Sequence, residues 1–139
     1  MIVLDTNVVS ELMRPSPASK VQSWIATQPR GRLFTTTITR AEILFGALLL
    51  PDGRKREDLL ARAESLFEED FREQLLDFDR EAARHFAALA AQRKSQGRPI
   101  GIMDAQIAAI ARSRGAAVAT RDVADFRDCG IEVIDPWSA

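Results

Sequence analysis

Apolar residues along this chain follow two rhythms. Some come as short unbroken runs rich in β-branched side chains, and others recur every three or four positions. Unbroken runs predict strands buried on both faces, as in a parallel sheet. They fall at Ile2-Val3-Leu4, Leu33 to Thr36, Leu75 to Phe78, Ala117 to Thr120 and Ile131 to Ile134. Between them the three-to-four spacing predicts helices. Val8, Val9, Leu12 and Met13 mark the first, which runs up to Pro15. Ser16-Pro17 reads as a cap followed by proline at the first helical position, opening a helix with Val21, Trp24 and Ile25 on one face. Pro29-Arg30-Gly31 stops it. Thr39 and Glu42 have capping-box spacing at the head of an apolar helix reaching about Leu50.

Pro51-Asp52-Gly53 is a turn, and the helix after it carries Leu59, Leu60, Ala63, Leu66 and Phe67 on its buried stripe. Asp79 is placed to cap an alanine-rich helix ending near Gly97. After the Arg98-Pro99 break, Ile102 to Arg114 forms another, closed by Gly115. Asp122 to Phe126 joins the last two strands. Alternation of this kind predicts an α/β sandwich around a mainly parallel sheet of about five strands. At 139 residues, with no repeat and no linker, the expectation is one domain over residues 1–139.

Composition narrows the chemistry. Cys129 is the only cysteine and His85 the only histidine, so an intramolecular disulfide, a cysteine-rich zinc site and any histidine pair are excluded. His85, between Arg84 and Phe86, reads as a structural or surface residue. The opening Met-Ile-Val-Leu-Asp has no basic leader, and no apolar run approaches the roughly 20 residues of a membrane span. The expectation is a cytoplasmic protein with no membrane association. Lysine and arginine number 19 against 20 acids, which excludes a strongly basic nucleic-acid coat but not a local patch. Any chemistry on phosphate or acyl groups must come from carboxylates.

Four acids stand out from the solvated majority. Asp5 directly follows an apolar strand and Asp122 follows another at short distance. Both then face the crevice beyond the strand ends, where open α/β sheets bind ligands. Glu42 and Asp104 sit within apolar helical patterns near helix starts, where a charge is costly unless paired or metal-bound. Each also fits a plainer role: Asp5 and Asp122 as helix caps, Glu42 as half of a capping box, Asp104 as an ion-pair partner. Asp125 fits surface acid and auxiliary ligand equally. Four carboxylates gathered in one crevice repel each other and demand a cation. Oxygen-only donors select a hard divalent ion, Mg²⁺ or Mn²⁺, and phosphodiester hydrolysis is the reaction such a site suits best.

Motifs in order along the chain carry a resemblance. Ile2-Val3-Leu4-Asp5-Thr6-Asn7, Thr39-Arg40-Ala41-Glu42-Ile43-Leu44-Phe45-Gly46, Asp104-Ala105-Gln106-Ile107-Ala108 and Thr120-Arg121-Asp122-Val123-Ala124-Asp125-Phe126 resemble the four motifs of PIN-domain ribonucleases of the VapC/FitB type. The closing Asp135-Pro136-Trp137 is similar to the ending of these proteins, the toxin halves of bacterial type II toxin–antitoxin pairs. The resemblance implies a PIN-like three-layer α/β/α sandwich and a Mg²⁺-dependent endoribonuclease, with Mn²⁺ a second candidate metal. It implies Asp5, Glu42, Asp104 and Asp122 as catalytic, metal-binding acids. Thr120 would hold those acids by hydrogen bonds, Asn7 would position Asp5 or the metal water, and Asp125 would be an outer ligand. It further implies an RNA substrate, a cognate antitoxin, a homodimer, and operator DNA contacted only through the antitoxin.

Independent signs of these partners are fewer. Sixteen of the 19 basic residues are arginine, the side chain suited to phosphate. Arg40 and Arg121, each beside a motif acid, are the candidate substrate contacts, with ion pairing as their alternative. Trp24, Leu48, Leu49 and Leu50 are apolar enough to line a groove for a partner helix, although core packing is the reading favoured for them. Setting the four acids aside leaves 19 basic residues against 16 acids, a net +3 around an acidic hole. Two other classes stay open. A small-molecule phosphohydrolase lacks a matching glycine-rich phosphate loop, and a non-catalytic interaction module would show no stabilisation by Mg²⁺.

Overall fold

The computed structural model describes residues 1–139. Five strands form one parallel sheet in the order β3-β2-β1-β4-β5. They are β1 (Ile2–Leu4), β2 (Leu33–Thr36), β3 (Leu75–Leu76), β4 (Ala117–Ala119) and β5 (Val133–Ile134). Six helices connect them: α1 (Thr6–Leu12), α2 (Ser19–Thr27), α3 (Thr37–Leu48), α4 (Arg54–Ser65), α5 (Arg80–Ser95) and α6 (Ile102–Ser113). No helix is long and apolar enough to cross a membrane.

The central strand explains the layering. Side chains of a strand alternate between its faces, and β1 is buried on both. Val3 joins a cluster with Leu89 of α5 and Ile107 and Ile110 of α6. Ile2 and Leu4 join the other, with Val8 and Val9 of α1, Ile43 of α3 and Ala63 of α4. Helices therefore cover both faces, giving the α/β/α sandwich and parallel sheet expected from the sequence.

Local chemistry fixes where several helices begin. Thr36, extended at φ −130° and ψ 159°, caps α3 by accepting from the Thr39 amide at 3.1 Å. The Thr39–Glu42 capping box is therefore not formed. Strand β2 runs into α3 without a loop, so the cap falls on the strand's last residue and Thr39 is buried one turn inside. Helix α2 begins at Ser19 rather than at Ser16-Pro17. The free amide of Ala18 at its head is taken by the Glu11 carboxylate, 2.9 Å away, so α1 supplies what a local cap would. Asp79 caps α5 as expected, accepting from Ala82 at 2.9 Å.

Helix α4 ends in a wider turn over Leu66–Asp70, closed by the Phe71 amide donating to the Leu66 carbonyl at 2.9 Å. That turn keeps Leu66 and Phe67 buried together. Strands β3 and β5 are only two residues long, shorter than their apolar runs suggested, because both lie at sheet edges. Leu48 and Leu49 are 52% and 69% exposed, so the core packing favoured for them from the sequence is not what the structure shows.

Candidate active site

Register brings the motif residues to one edge. Leu4 pairs with Ala119, so the next positions, Asp5 and Thr120, leave the sheet side by side. The ladder continues one step further, with the Asp5 amide donating to Ala119 and the Thr120 amide to Ile134, both at 2.9 Å. On the other side of β1, Val3 pairs with Phe34, which places the end of β2 and the start of α3 beside Asp5. Asp104 lies in the first turn of α6, and α6 packs against α3. The result is a cleft of about 500 Å³ beyond the carboxyl ends of the strands. Asp5, Glu42, Asp104 and Asp122 all line it, together with Thr6, Asn7, Ser10, Glu11 and Arg14, and no hydrophobic side chain does.

Three of the four acids, Asp5, Glu42 and Asp122, are held by neutral partners. Asp5 is 4% exposed; its Oδ1 accepts from the Thr6 amide and its Oδ2 from the Thr120 hydroxyl, both at 2.8 Å. It therefore caps α1 and lines the cleft at once, so the cap and the crevice position expected of it coincide. Glu42 accepts from the Thr6 hydroxyl at 2.8 Å, and that hydroxyl also meets Thr39 at 3.1 Å. Asp122 accepts from the Asn7 side-chain amide at 3.1 Å, and its own amide donates to Thr120 at 3.0 Å. Asp122 makes no side-chain cap bond to the short helical turn that follows it.

Electrostatics mark Asp5 and Asp104. Burial pushes the Asp5 carboxyl up to about 6; hydrogen bonds from Thr120 and Thr6 oppose the rise, and the charges of Asp104 and Glu42 add to it. Asp104 is also pushed up to about 6, by burial first and then by Asp125, Glu42 and Asp122. Acids raised by neighbouring negative charge, as Asp5 and Asp104 are, are stabilised by a cation between them and those neighbours. Oxygen-only donors fit a hard divalent ion. No three of the acids stand close enough to enclose an ion with side chains alone. An ion held here would keep water in its shell, as Mg²⁺ characteristically does.

Other sequence expectations resolve variously. Thr120 is buried and contacts both Asp5 and Asp122. Asn7 bridges Thr120 and Asp122, and its Oδ1 accepts from the Arg121 amide at 3.3 Å. Asp125 does not line the cleft, though its charge acts on Asp104. Arg40 is engaged elsewhere, in an ion pair with Glu68 at 2.6 Å and above the Phe67 ring. Its alternative role, ion pairing, is the one realised, because α4's terminal turn sets Phe67 and Glu68 beside it. Arg121 stacks 5.1 Å from the Trp137 ring centroid, outside the cleft lining.

The cleft's one cation is Arg14, which the sequence reading missed. Glu11 accepts from it at 3.2 Å and stays ionised below the usual glutamate range, chiefly through the Ala18 amide and then Arg14. A signal was present: Asn7, Ser10, Glu11 and Arg14 recur at three and four positions, a polar stripe that follows α1 and continues just past its end.

Fold and cleft together define a parallel α/β protein of PIN-like architecture, with a carboxylate-lined cleft at the carboxyl edge of its sheet. The PIN domain family model matches residues 2–131, and the chain belongs to the PIN domain family. It is 42% identical to the VapC ribonuclease Y4jK of Sinorhizobium fredii, across 99% of this chain and 98% of that protein. It is 36% identical to the toxin FitB of Neisseria gonorrhoeae, across 99% of both. Among solved structures, FitAcB from Neisseria gonorrhoeae superposes with a TM-score of 0.91 at 35% identity, covering 100% of each chain. VapBC-5 from Mycobacterium tuberculosis, described as a member of the VapBC family of toxin–antitoxin systems, gives 0.71 at 32% identity over 95% of each.

Proposed function

We propose that this chain is a metal-dependent endoribonuclease and the toxin of a toxin–antitoxin pair, acting in the cytoplasm as a single PIN domain over residues 1–139. One observation carries the reading: four carboxylates from four segments line a cleft without a hydrophobic side chain, at the sheet edge where α/β folds bind ligands. Relatives named ribonuclease and toxin over nearly their whole length support it.

In this reading Asp5 and Asp104 hold Mg²⁺, with Glu42 and Asp122 supplementing them. The ion, when bound, supplies an activated water and neutralises charge at the scissile phosphate. The chain's own groups do the positioning. Thr120 fixes Asp5, Thr6 fixes Glu42, and Asn7 fixes Asp122. Arg14, held by Glu11 at the rim, offers a guanidinium to an RNA phosphate. Asp125 serves as an outer acid acting on Asp104.

Two surfaces suit protein partners. Phe45 and Leu48 of α3 and Leu49 at its C-cap are exposed and form the proposed homodimer face. An apolar cavity of about 460 Å³ lined by Leu12, Ile25, Leu33, Leu66 and Phe71 is the proposed seat for an antitoxin segment.

The deciding experiment is RNA cleavage by the purified protein. Activity is expected with Mg²⁺ and none with EDTA. Asp5→Asn and Asp104→Asn should each lose more than about 100-fold, since even the supporting partners of metal ligands cost 10–100-fold. Full cleavage in chelator, or by either variant, would refute the reading.

A further inference from the structure

Arg93 is an anomaly that the cleft does not explain. It lies near the end of α5, 5% exposed, and takes part in none of the molecule's ion pairs. A buried guanidinium without a carboxylate is costly unless its donors are otherwise satisfied. Here backbone carbonyls take the donors of Nε and Nη1. Nε donates to the Arg98 carbonyl at 2.8 Å, while Nη1 donates to the Asp125 carbonyl at 2.8 Å and the Arg127 carbonyl at 2.9 Å. The Cys129 sulfur lies 3.6 Å from the same nitrogen.

The acceptors belong to two separate segments. Arg98 lies within the link from α5 to α6, which leads through Pro99-Ile100-Gly101 into the first turn of α6 and Asp104. Asp125 and Arg127 belong to the connection between β4 and β5, which also carries Asp122. The first segment is gripped twice. Gly97, at φ +74°, ends α5 so that the Arg98 amide returns to the Arg93 carbonyl at 3.0 Å. The Arg93 side chain then takes the Arg98 carbonyl, so both peptide groups of Arg98 are fixed by one residue. An ion pair between Arg98 and Asp128 links the same two segments at the surface.

We infer that Arg93 is a positioning residue: its guanidinium ties the segment leading to Asp104 to the segment bearing Asp122 and Asp125, and so sets the separation of the acids across the cleft. It touches neither the acids' carboxylates nor the cleft. A fork of fixed donors suits this task, because one rigid plane must satisfy carbonyls from two chain segments. Asp125 shows what is at stake: its backbone is held by Arg93, and its charge is the largest acidic influence on Asp104 after burial. The inference rests on the proposed metal site for its effect on Mg²⁺, but its structural half does not.

The test compares Arg93→Gln, Arg93→Lys and Val21→Ala in the full chain. Val21 is a buried α2 side chain in the opposite core cluster, which holds no residue of either segment, so its truncation destabilises from elsewhere. Amide hydrogen exchange in EDTA is read first. Arg93→Gln should lose protection in both residues 98–104 and 122–129, whereas Val21→Ala should not single these segments out. Mg²⁺ affinity is then measured by calorimetry. Arg93→Gln should bind about 10-fold more weakly or worse, as for other supporting partners of metal ligands, with Arg93→Lys partly restored and Val21→Ala unchanged. Exchange that rises in one segment only, or equally in Val21→Ala, would overturn the coupling. Unchanged Mg²⁺ affinity in Arg93→Gln would overturn the positioning role. A wild-type protein that binds no Mg²⁺ would instead refute the metal site, and the exchange result would still decide whether Arg93 couples the segments.

Discussion

Thr120 has one hydroxyl oxygen and uses it three times: it donates to Asp5 and accepts from both Asn7 and the Asp122 amide. The donated bond holds the Asp5 carboxyl below where burial alone would take it. Thr120→Val keeps the shape and removes that bond. Mg²⁺-dependent cleavage is expected to fall about 10–100-fold, as for other second partners of metal ligands. The pH at which Mg²⁺ begins to bind should move upward, and Thr120→Ser should restore both. An unshifted pH profile would count against the role. Arg14 makes a different kind of prediction, because its proposed partner is the RNA phosphate rather than the metal. Arg14→Ala should raise KM for RNA with kcat little changed, and reduce the salt dependence of RNA binding by about one phosphate contact. An effect on kcat alone would place Arg14 elsewhere in the reaction. The four cleft acids were legible in the sequence because each breaks a pattern, a charge at a strand end or inside an apolar stripe. Arg14 was legible only through the polar stripe that begins at Asn7, since a cation just past a helix end breaks no apolar pattern by itself.

Helix α3 shows how far local rules reach. Thr36 and Thr39 have the same side chain, and the sequence cannot say which caps the helix without knowing where β2 ends. Pairing of β2 with β1 and β3 decides it, by holding Thr36 extended while its hydroxyl takes the Thr39 amide. Thr36→Ala should therefore cost about 1 kcal/mol, a lost cap, whereas a capping box at Thr39 would predict no loss at Thr36. Thermal or urea unfolding distinguishes the two. The far end of the same helix presents Phe45, Leu48 and Leu49 to solvent. An apolar stripe of this kind reads identically in sequence whether it meets a core or another chain. If it is the homodimer face, Leu49→Glu should shift the sedimenting mass from about twice 15.4 kDa to 15.4 kDa while leaving the fold intact. A wild-type protein already sedimenting at the lower mass would remove that role from α3.

At the scale of the whole molecule, the acid cleft sets function against folding, and pH separates the two. The Asp5 carboxyl stands near 6 in the fold against an ordinary 3.8. Below about 4 both folded and unfolded chains carry the proton, and the group contributes no pH-dependent term. As pH rises through the interval, the unfolded chain releases its proton first. Stability therefore falls until about 6, and above that the full penalty remains, at most about 3 kcal/mol for a shift of this size. Asp104 acts in the same direction, reduced by its greater exposure. In EDTA, Asp5→Asn should consequently be more stable than wild type at pH 7, with the difference shrinking towards zero near pH 4. Saturating Mg²⁺ at pH 7 should reverse the order, because only wild type retains the full acid set, and a ligand at 100 times its Kd adds about 2.7 kcal/mol. Melting curves of both proteins at the two pH values, with and without Mg²⁺, check each step. A stability difference that does not vary with pH would mean that Asp5 ionises freely in the fold, and that the cleft is too open to need a cation. The near-neutral net charge read from composition conceals this arrangement. Acids that oppose one another at a single sheet edge and acids spread over the surface give the same sum, and only the parallel register of β1, β2 and β4 separates them.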